Sequence, residues 1–259
     1  MFRLFLLCVL SALPHLVAAA ECPGNANALG TERVLTVDPA AVPRVGRKQF
    51  PTTLPLAPNE IVLTFDDGPW PATTARVLDA LKSECVLATF FLVGRNTVAN
   101  PALARRTLAE GHTVGYHSYS HPRLDQMALA RAETDIDRGF AAVDTVLYGA
   151  AQSTPVTPFF RFPYFASNKG LLDRLFERKI AVFGADLWAA DWIPMTPAEE
   201  LHQIMQQLAV TKGGILLLHD THRHTAATVP MLLRELKRRH FRVVHVVPPD
   251  RRLADLAKP

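Results

Sequence analysis

The sequence predicts an α/β fold of parallel βα units, either closed into a barrel or open as a doubly wound sheet. Three observations carry this. From Glu60 onward, short apolar runs alternate with helical patterns, giving seven strands and six helices. The strand runs are nearly continuous in apolar residues, as expected where both faces of a sheet are covered. A length of 259 residues suits one large domain with a sizeable core.

Taken in order, residues 1–20 (MFRLFLLCVLSALPHLVAAA) read as a secretory signal peptide. Arg3 precedes an apolar run over 4–13, and small residues close the segment at 18–20. The run is too short for a membrane span, and Pro14 and His15 interrupt it. Cleavage near Ala20 would deliver the chain to a periplasmic or extracellular space, leaving Cys22 and Cys85 in an oxidising compartment. The sequence does not place their Cα atoms within bridging reach, so a disulfide stays open. Residues 21–59 carry Pro at 23, 39, 43, 51, 55 and 58 and read as an irregular extension over the domain surface. The domain occupies 60–248, with strands expected at 61–65, 88–93, 113–116, 159–162, 180–184, 214–219 and 241–247. Helices are expected near 72–84, 101–110, 126–148, 168–178, 197–210 and 228–239. Asn168, and Thr196 followed by Pro197, Glu199 and Glu200, are N-terminal helix signals. Residues 249–259 form a tail.

Composition narrows the function classes. With 20% charged residues, 13 Gly and 20 Pro, the chain is neither disordered nor collagen-like. The 28 basic and 24 acidic side chains nearly balance, so the net charge of +4 identifies no partner. No Gly-rich phosphate loop is present, which argues against a nucleotide enzyme. Lys237-Arg238-Arg239 reads as a solvated helix face, and nothing supports nucleic-acid binding. After residue 20 no apolar stretch is long enough to span a membrane.

In either α/β architecture, active sites are built from loops at the carboxyl ends of strands. Here those ends read Thr64-Phe65-Asp66-Asp67-Gly68-Pro69, His117-Ser118-Tyr119-Ser120-His121, Arg161-Phe162-Pro163-Tyr164, Asp186 on to Asp191-Trp192, and Leu217-Leu218-His219-Asp220. Acids, histidines and an arginine thus gather at one end of five strands. Strand neighbours point opposite ways, so Asp66 and Asp67 should have different tasks. His117 and His121 share one face if their segment is helical, and with a carboxylate they could hold Zn²⁺ with a position open for water. Singly, Arg161 and Asp191 would pass for surface ion-pair partners, His219 for a core histidine, and His222 and His224 for loop residues without an identifiable partner.

Together, in this order, the clusters resemble the polysaccharide deacetylases of carbohydrate esterase family 4. T-F-D-D-G-P at 64–69 and H-S-Y-S-H at 117–121 are specific to it, and R-F-P-Y at 161–164 and L-L-L-H-D at 216–220 fit its later motifs. The fourth motif departs: Trp188 stands where the family often has Asp, while Asp191-Trp192 match, which leaves Asp186 without a role. The resemblance implies a distorted (β/α)7 barrel that removes acetyl groups from an N-acetylglucosamine-containing glycan. It further implies that Asp67, His117 and His121 bind a divalent metal, usually zinc, which would acidify a water and polarise the acetamide carbonyl. Asp66 would be the base and His219 the acid, with Arg161 tethering Asp66 and Asp191 orienting His219. The Tyr164 backbone N–H would face the oxyanion, and Pro163, Trp192 and Leu217 would wall the acetyl pocket. An O-acetyl esterase acting on a glycan such as xylan, and a glycan-binding barrel without catalysis, are the alternatives. A peptidase is remote without H-E-x-x-H.

Overall fold

The computed structural model describes residues 22–249; the expected signal peptide, its cleavage point and nearly all of the expected tail lie outside the described residues. In chain order the first elements are β1 (Thr31–Thr36), β2 (Arg44–Val45), β3 (Glu60–Asp66), α1 (Thr74–Ser83), β4 (Thr89–Leu92), α2 (Gly94–Ala99), α3 (Pro101–Ala109), β5 (Thr113–Tyr116) and α4 (Leu129–Tyr148). There follow β6 (Phe159–Phe160), α5 (Lys169–Glu177), β7 (Ala181–Phe183), β8 (Leu187–Trp188), α6 (Pro197–Thr211), β9 (Gly213–His219), α7 (Arg223–Arg238) and β10 (Arg242–Val247).

The helix signals act as expected. The Asn168 side chain accepts from Leu171 N, and Thr196 and Glu199 form a reciprocal capping box with Pro197 in the first turn. α7 begins at Arg223 rather than 228 and carries Pro230 inside it. β8 and α2 were not expected. Two residues and six residues are too short to establish a period.

All strand pairings are parallel. β3 to β7 pair in succession, β8 pairs with β9, and β9 runs beside β3 along its whole length. The ring is distorted because β7 and β8 are not paired. β10 is not a ring member. It pairs with Glu60 and Ile61 at the start of β3 and with β1 on its other edge.

Alternation along β3 sorts the core. Ile61, Leu63 and Phe65 pack outward with helix residues such as Val77, Leu81 and Leu232. Val62 instead joins Phe91, Phe159, Phe183 and Ile215 inside the ring, where Val244 and Val246 of β10 close the end at which the strands begin. The period of two then turns Thr64 and Asp66 inward, toward the end at which the strands finish.

The segment at 21–59, read as an irregular extension, is irregular for most of its length but contributes β1 and β2 to the sheet. β2 pairs with β7 at the edge of the opening. Across that opening Asp186 Oδ1 accepts from Arg47 N (2.9 Å), while Oδ2 accepts from Thr53 Oγ1 (2.6 Å) and Ile215 N (2.8 Å). Asp186 therefore stitches the extension to β9. The disulfide that the sequence left open is formed between Cys22 and Cys85, with Cα atoms 5.6 Å apart. It closes a loop 63 residues long, so replacing both cysteines by Ser should cost about 2–4 kcal/mol. Thermal melts of the double variant should show a lower Tm; an unchanged Tm contradicts this. No helix among the described residues is long and apolar enough to cross a membrane.

Candidate active site

Asp66 ends β3 pointing into the ring and is 2% exposed. Its Oδ1 accepts from Arg161 Nη1 at 2.7 Å. Arg161 is no surface partner: it is fully buried, and it also donates to Thr64 Oγ1 (2.8 Å), Phe183 O (3.1 Å) and Gly184 O (2.8 Å). These contacts satisfy the guanidinium on every side while its charge stays against Asp66, which a buried arginine requires. Asp66 Oδ2 remains directed toward the cavity, 3.7 Å from His117 Nε2.

The chain reverses after Asp66. Asp67 has φ of 74°, in the left-handed region, so its carboxylate leaves the strand alternation. The Asn96 side chain donates to Asp67 O at 2.7 Å and holds that conformation. Beneath the turn lies Asp220, fully buried, accepting from Thr74 Oγ1; burial pushes its carboxyl up to about 7. A Cβ on Gly68 would collide with the Asp220 carboxylate, so the close approach demands glycine.

His117 and His121 do meet on one side, but not on a helix. The segment is a tight turn in which Ser118 and His121 have φ of 62° and 59°. It is braced by Asp135, which accepts from Tyr119 N, Ser120 N and Ser120 Oγ. The backbone therefore folds back on itself, and four-residue spacing succeeds by a different geometry. His117 Nδ1 lies 2.7 Å from Arg161 O, which turns Nε2 toward Asp67. Asp67 Oδ1 lies 3.4 Å from His117 Nε2 and 3.0 Å from His121 Nε2, yet it is a buried atom with no satisfactory hydrogen bond. Three donor atoms within 4.8 Å of one another, aimed together rather than at each other, fit a divalent cation. Burial alone would raise the Asp67 carboxyl, but the two imidazoles hold it well below the ordinary carboxylate range.

His219 stands across the cavity at the end of β9. Its Nδ1 lies 2.7 Å from Asp191 Oδ1, and its backbone N donates to Asp191 Oδ2 at 2.6 Å. Asp191 is 1% exposed and also accepts from Thr225 Oγ1, so it too is an interior group. Burial would lower the His219 imidazole, but Asp191, with Asp67 and Asp66 beyond it, outweighs this and raises it to about 9. Two residues without a sequence signal support the pair. His224 Nε2 lies 2.9 Å from Asp191 O, and Glu200 is buried against Thr228 Oγ1 at 2.9 Å. Burial and the nearby Asp191 push the Glu200 carboxyl up to about 7. His224 was legible only as a loop histidine, and Glu200 only as a first-turn acid of α6.

These groups open into a cavity of about 420 Å³. Its walls include Asp66, Asp67, His117, His121, His219 and His222, with Phe162, Tyr164, Phe165, Trp188, Trp192 and Leu217 as the apolar part. Tyr164 has φ of 58° and an exposed side chain beside the His121 ring. Pro163 is buried and is not among the residues that line the cavity. The structure thus brings together all the expected residues but Pro163, and adds His222, Trp188 and two phenylalanines.

The chain is similar to known polysaccharide deacetylases. A family model described as polysaccharide deacetylase matches residues 54–180. Over 188 residues the chain is 34% identical to a peptidoglycan-N-acetylglucosamine deacetylase of Listeria monocytogenes, covering 73% of this chain and 38% of that protein. It is 29% identical over 218 residues to a chitin deacetylase of Colletotrichum lindemuthianum, covering 78% of this chain and 85% of that one. A solved peptidoglycan deacetylase of Bdellovibrio bacteriovorus superposes with a TM-score of 0.76 at 30% identity, over 86% of this chain and 61% of that structure. The chain therefore spans well under half of the Listeria relative's length.

Proposed function

The chain belongs to the polysaccharide deacetylase family, carbohydrate esterase family 4, and on that footing we propose that it hydrolyses N-acetyl groups from an N-acetylglucosamine-containing glycan, releasing acetate. The observation that carries the reading is the orphaned Asp67 Oδ1 between two imidazoles, with a buried carboxylate on one side and a raised histidine on the other. Asp67, His117 and His121 would hold a divalent ion, zinc by the chemistry of one carboxylate and two imidazoles. Bound there, it would acidify water and polarise the acetamide carbonyl.

The chain's own residues supply the remaining steps. Asp66 Oδ2 takes a proton from the attacking water, while Arg161 on Oδ1 keeps the carboxylate in place. The Tyr164 N–H donates to the oxyanion. His219, charged at neutral pH and oriented through Nδ1 by Asp191, gives its proton from Nε2 to the departing amine. Trp192, Leu217 and Trp188 give the acetyl methyl an apolar wall and keep water away from it.

Export is part of the same proposal. The Cys22–Cys85 disulfide supports an oxidising compartment, where such glycans are met. The test is an acetate-release panel with zinc-loaded protein on chitin oligomers, peptidoglycan glycan strands and acetylated xylan. Release from the N-acetylated glycans is expected. Release from xylan alone would make the chain an O-acetyl esterase, and binding without turnover on any glycan would make it a lectin-like barrel.

A further inference from the structure

The turn at Pro163–Phe165 carries the amide proposed to face the oxyanion, and two successive residues of it, Tyr164 and Phe165, have φ of 58° and 55°. Both carry a Cβ, so the left-handed region is unfavourable for each, and such a turn persists only where its surroundings hold it. Its internal bonds are few: Phe165 N donates to Phe162 O at 3.0 Å, Ala166 N to Pro163 O at 2.9 Å and Ser167 N to Phe165 O at 3.1 Å. Support from outside comes from Gln49, whose Nε2 donates to Phe165 O at 2.9 Å and to Ser167 Oγ at 3.2 Å. Among the described residues, no other side chain from a distant segment hydrogen-bonds to 163–167. Phe165 O can only accept, so Nε2 must face it, and Oε1 is left buried without a hydrogen bond. An apolar side chain of the same length would spare that cost but give the turn no donor.

Gln49 is itself firmly placed. It follows β2 in a loop closed by Gln49 N donating to Gly46 O at 3.0 Å and Gly46 N donating to Thr52 O at 2.9 Å. Lys48 N donates to Ala185 O at 2.8 Å, and Arg47 N reaches Asp186 as described above. Ala185 and Asp186 lie between β7 and β8, so the loop occupies the gap where the ring is not paired. A Cβ on Gly184 would stand 3.1 Å from Gln49 Cβ, so the glycine lets Gln49 pass close over the end of β7. That end is rigid in turn, because Gly184 N donates to Val45 O at 2.6 Å and Gly184 O accepts from the buried Arg161. The glutamine therefore reaches the turn at 163–167 from an anchored backbone.

We propose that Gln49 is a positioning residue for deacetylation: its amide holds the turn at 163–167 in the left-handed conformation that aims Tyr164 N at the oxyanion. The inference rests on the deacetylase reading and deepens it. It gives the extension a part in catalysis, since Gln49 precedes the residues 54–180 that the family model matches. An oxyanion donor acts through its preset direction, and its displacement is felt in the transition state more than in substrate binding. The loss of Gln49 should therefore fall on kcat and spare KM.

The experiment compares zinc-loaded wild type with Gln49→Met, which keeps the length of the side chain and donates nothing. Thr52→Ala serves as the control: it removes the hydrogen bond from Thr52 Oγ1 to Arg44 O (3.2 Å) in the same loop and touches nothing at 163–167. Acetate release from N-acetylglucosamine oligosaccharides gives kcat and KM, and amide hydrogen exchange is followed at Phe165 and Ala166. Gln49→Met should lower kcat about tenfold, with KM within about twofold and zinc content unchanged. It should also speed exchange at Phe165 and Ala166 about fivefold or more. Thr52→Ala should match wild type in kcat and in exchange at those two amides. A kcat within about twofold of wild type, a loss carried by KM or by zinc, unchanged exchange, or equal losses in both variants overturns the inference, while acetate release by wild type still upholds the deacetylase reading. If wild type releases no acetate from any glycan, that reading fails, and exchange alone judges Gln49. Faster exchange in Gln49→Met then upholds its hold on the turn, and unchanged exchange overturns it.

Discussion

Replacing Asp66 by Asn is expected to lower acetate release by about 10²–10⁴-fold while leaving bound metal at wild-type stoichiometry. The substitution is isosteric and removes the carboxylate proposed to accept a proton from the attacking water. The Asn carbonyl can still accept from Arg161 Nη1, and Arg161 keeps Thr64 Oγ1, Phe183 O and Gly184 O as acceptors. The fold should therefore persist, although a buried guanidinium without its anion costs stability. Thermal melts will register that cost as a lower Tm, separately from activity. The informative comparison is with Asp67→Asn, which disturbs the oxygen lying 3.0 and 3.4 Å from the two imidazole nitrogens. That variant should lose metal and activity together. Metal lost from Asp66→Asn and kept by Asp67→Asn would reverse the two assignments.

His219→Ala should fold, bind metal and release acetate about 10²–10³-fold more slowly, with the loss in kcat rather than KM. The histidine touches none of the supporting carbonyls of the ring, and its removal leaves Asp191 held by Thr225. Near-normal turnover would remove it as the acid. Stability carries a second signature in the metal-free chain. The imidazole is raised from 6.5 to about 9, so the folded state holds its proton more tightly than the unfolded chain. This contribution is complete below about pH 6.5 and disappears as pH rises toward about 9. His219→Ala should abolish that part of the slope, read from denaturant melts across the window.

Much of this was legible because strand ends are local. The runs at 113–116 and 214–219 carry their chemistry on the following residue and on the last one respectively, so His117 and His219 fall where the strand-end rule puts them. Asp66 was legible for the same reason, and period two explains why it, not Phe65, faces inward. What escaped were groups whose role depends on distant backbone. Asn96 acts on the Asp67 carbonyl from a six-residue helix with no sequence period, and His224 acts on the Asp191 carbonyl from across a loop. His117 and His121 would share a face if their segment were helical; instead a turn with left-handed residues brings the same two side chains together. Asp186, two residues before the position where Trp188 departs from the family pattern, proved to be a stitch between the extension and β9. No pattern within one segment could announce a bond to residue 47 or 53.

The most direct test of a metal-dependent N-deacetylase is acetate release from N-acetylglucosamine oligosaccharides by chelator-stripped protein before and after zinc is restored. The stripped chain should release none, and one equivalent of Zn²⁺ per chain should restore release in proportion to occupancy. Acetate release that is indifferent to stripping, or that appears only from O-acetylated glycans, would contradict the account.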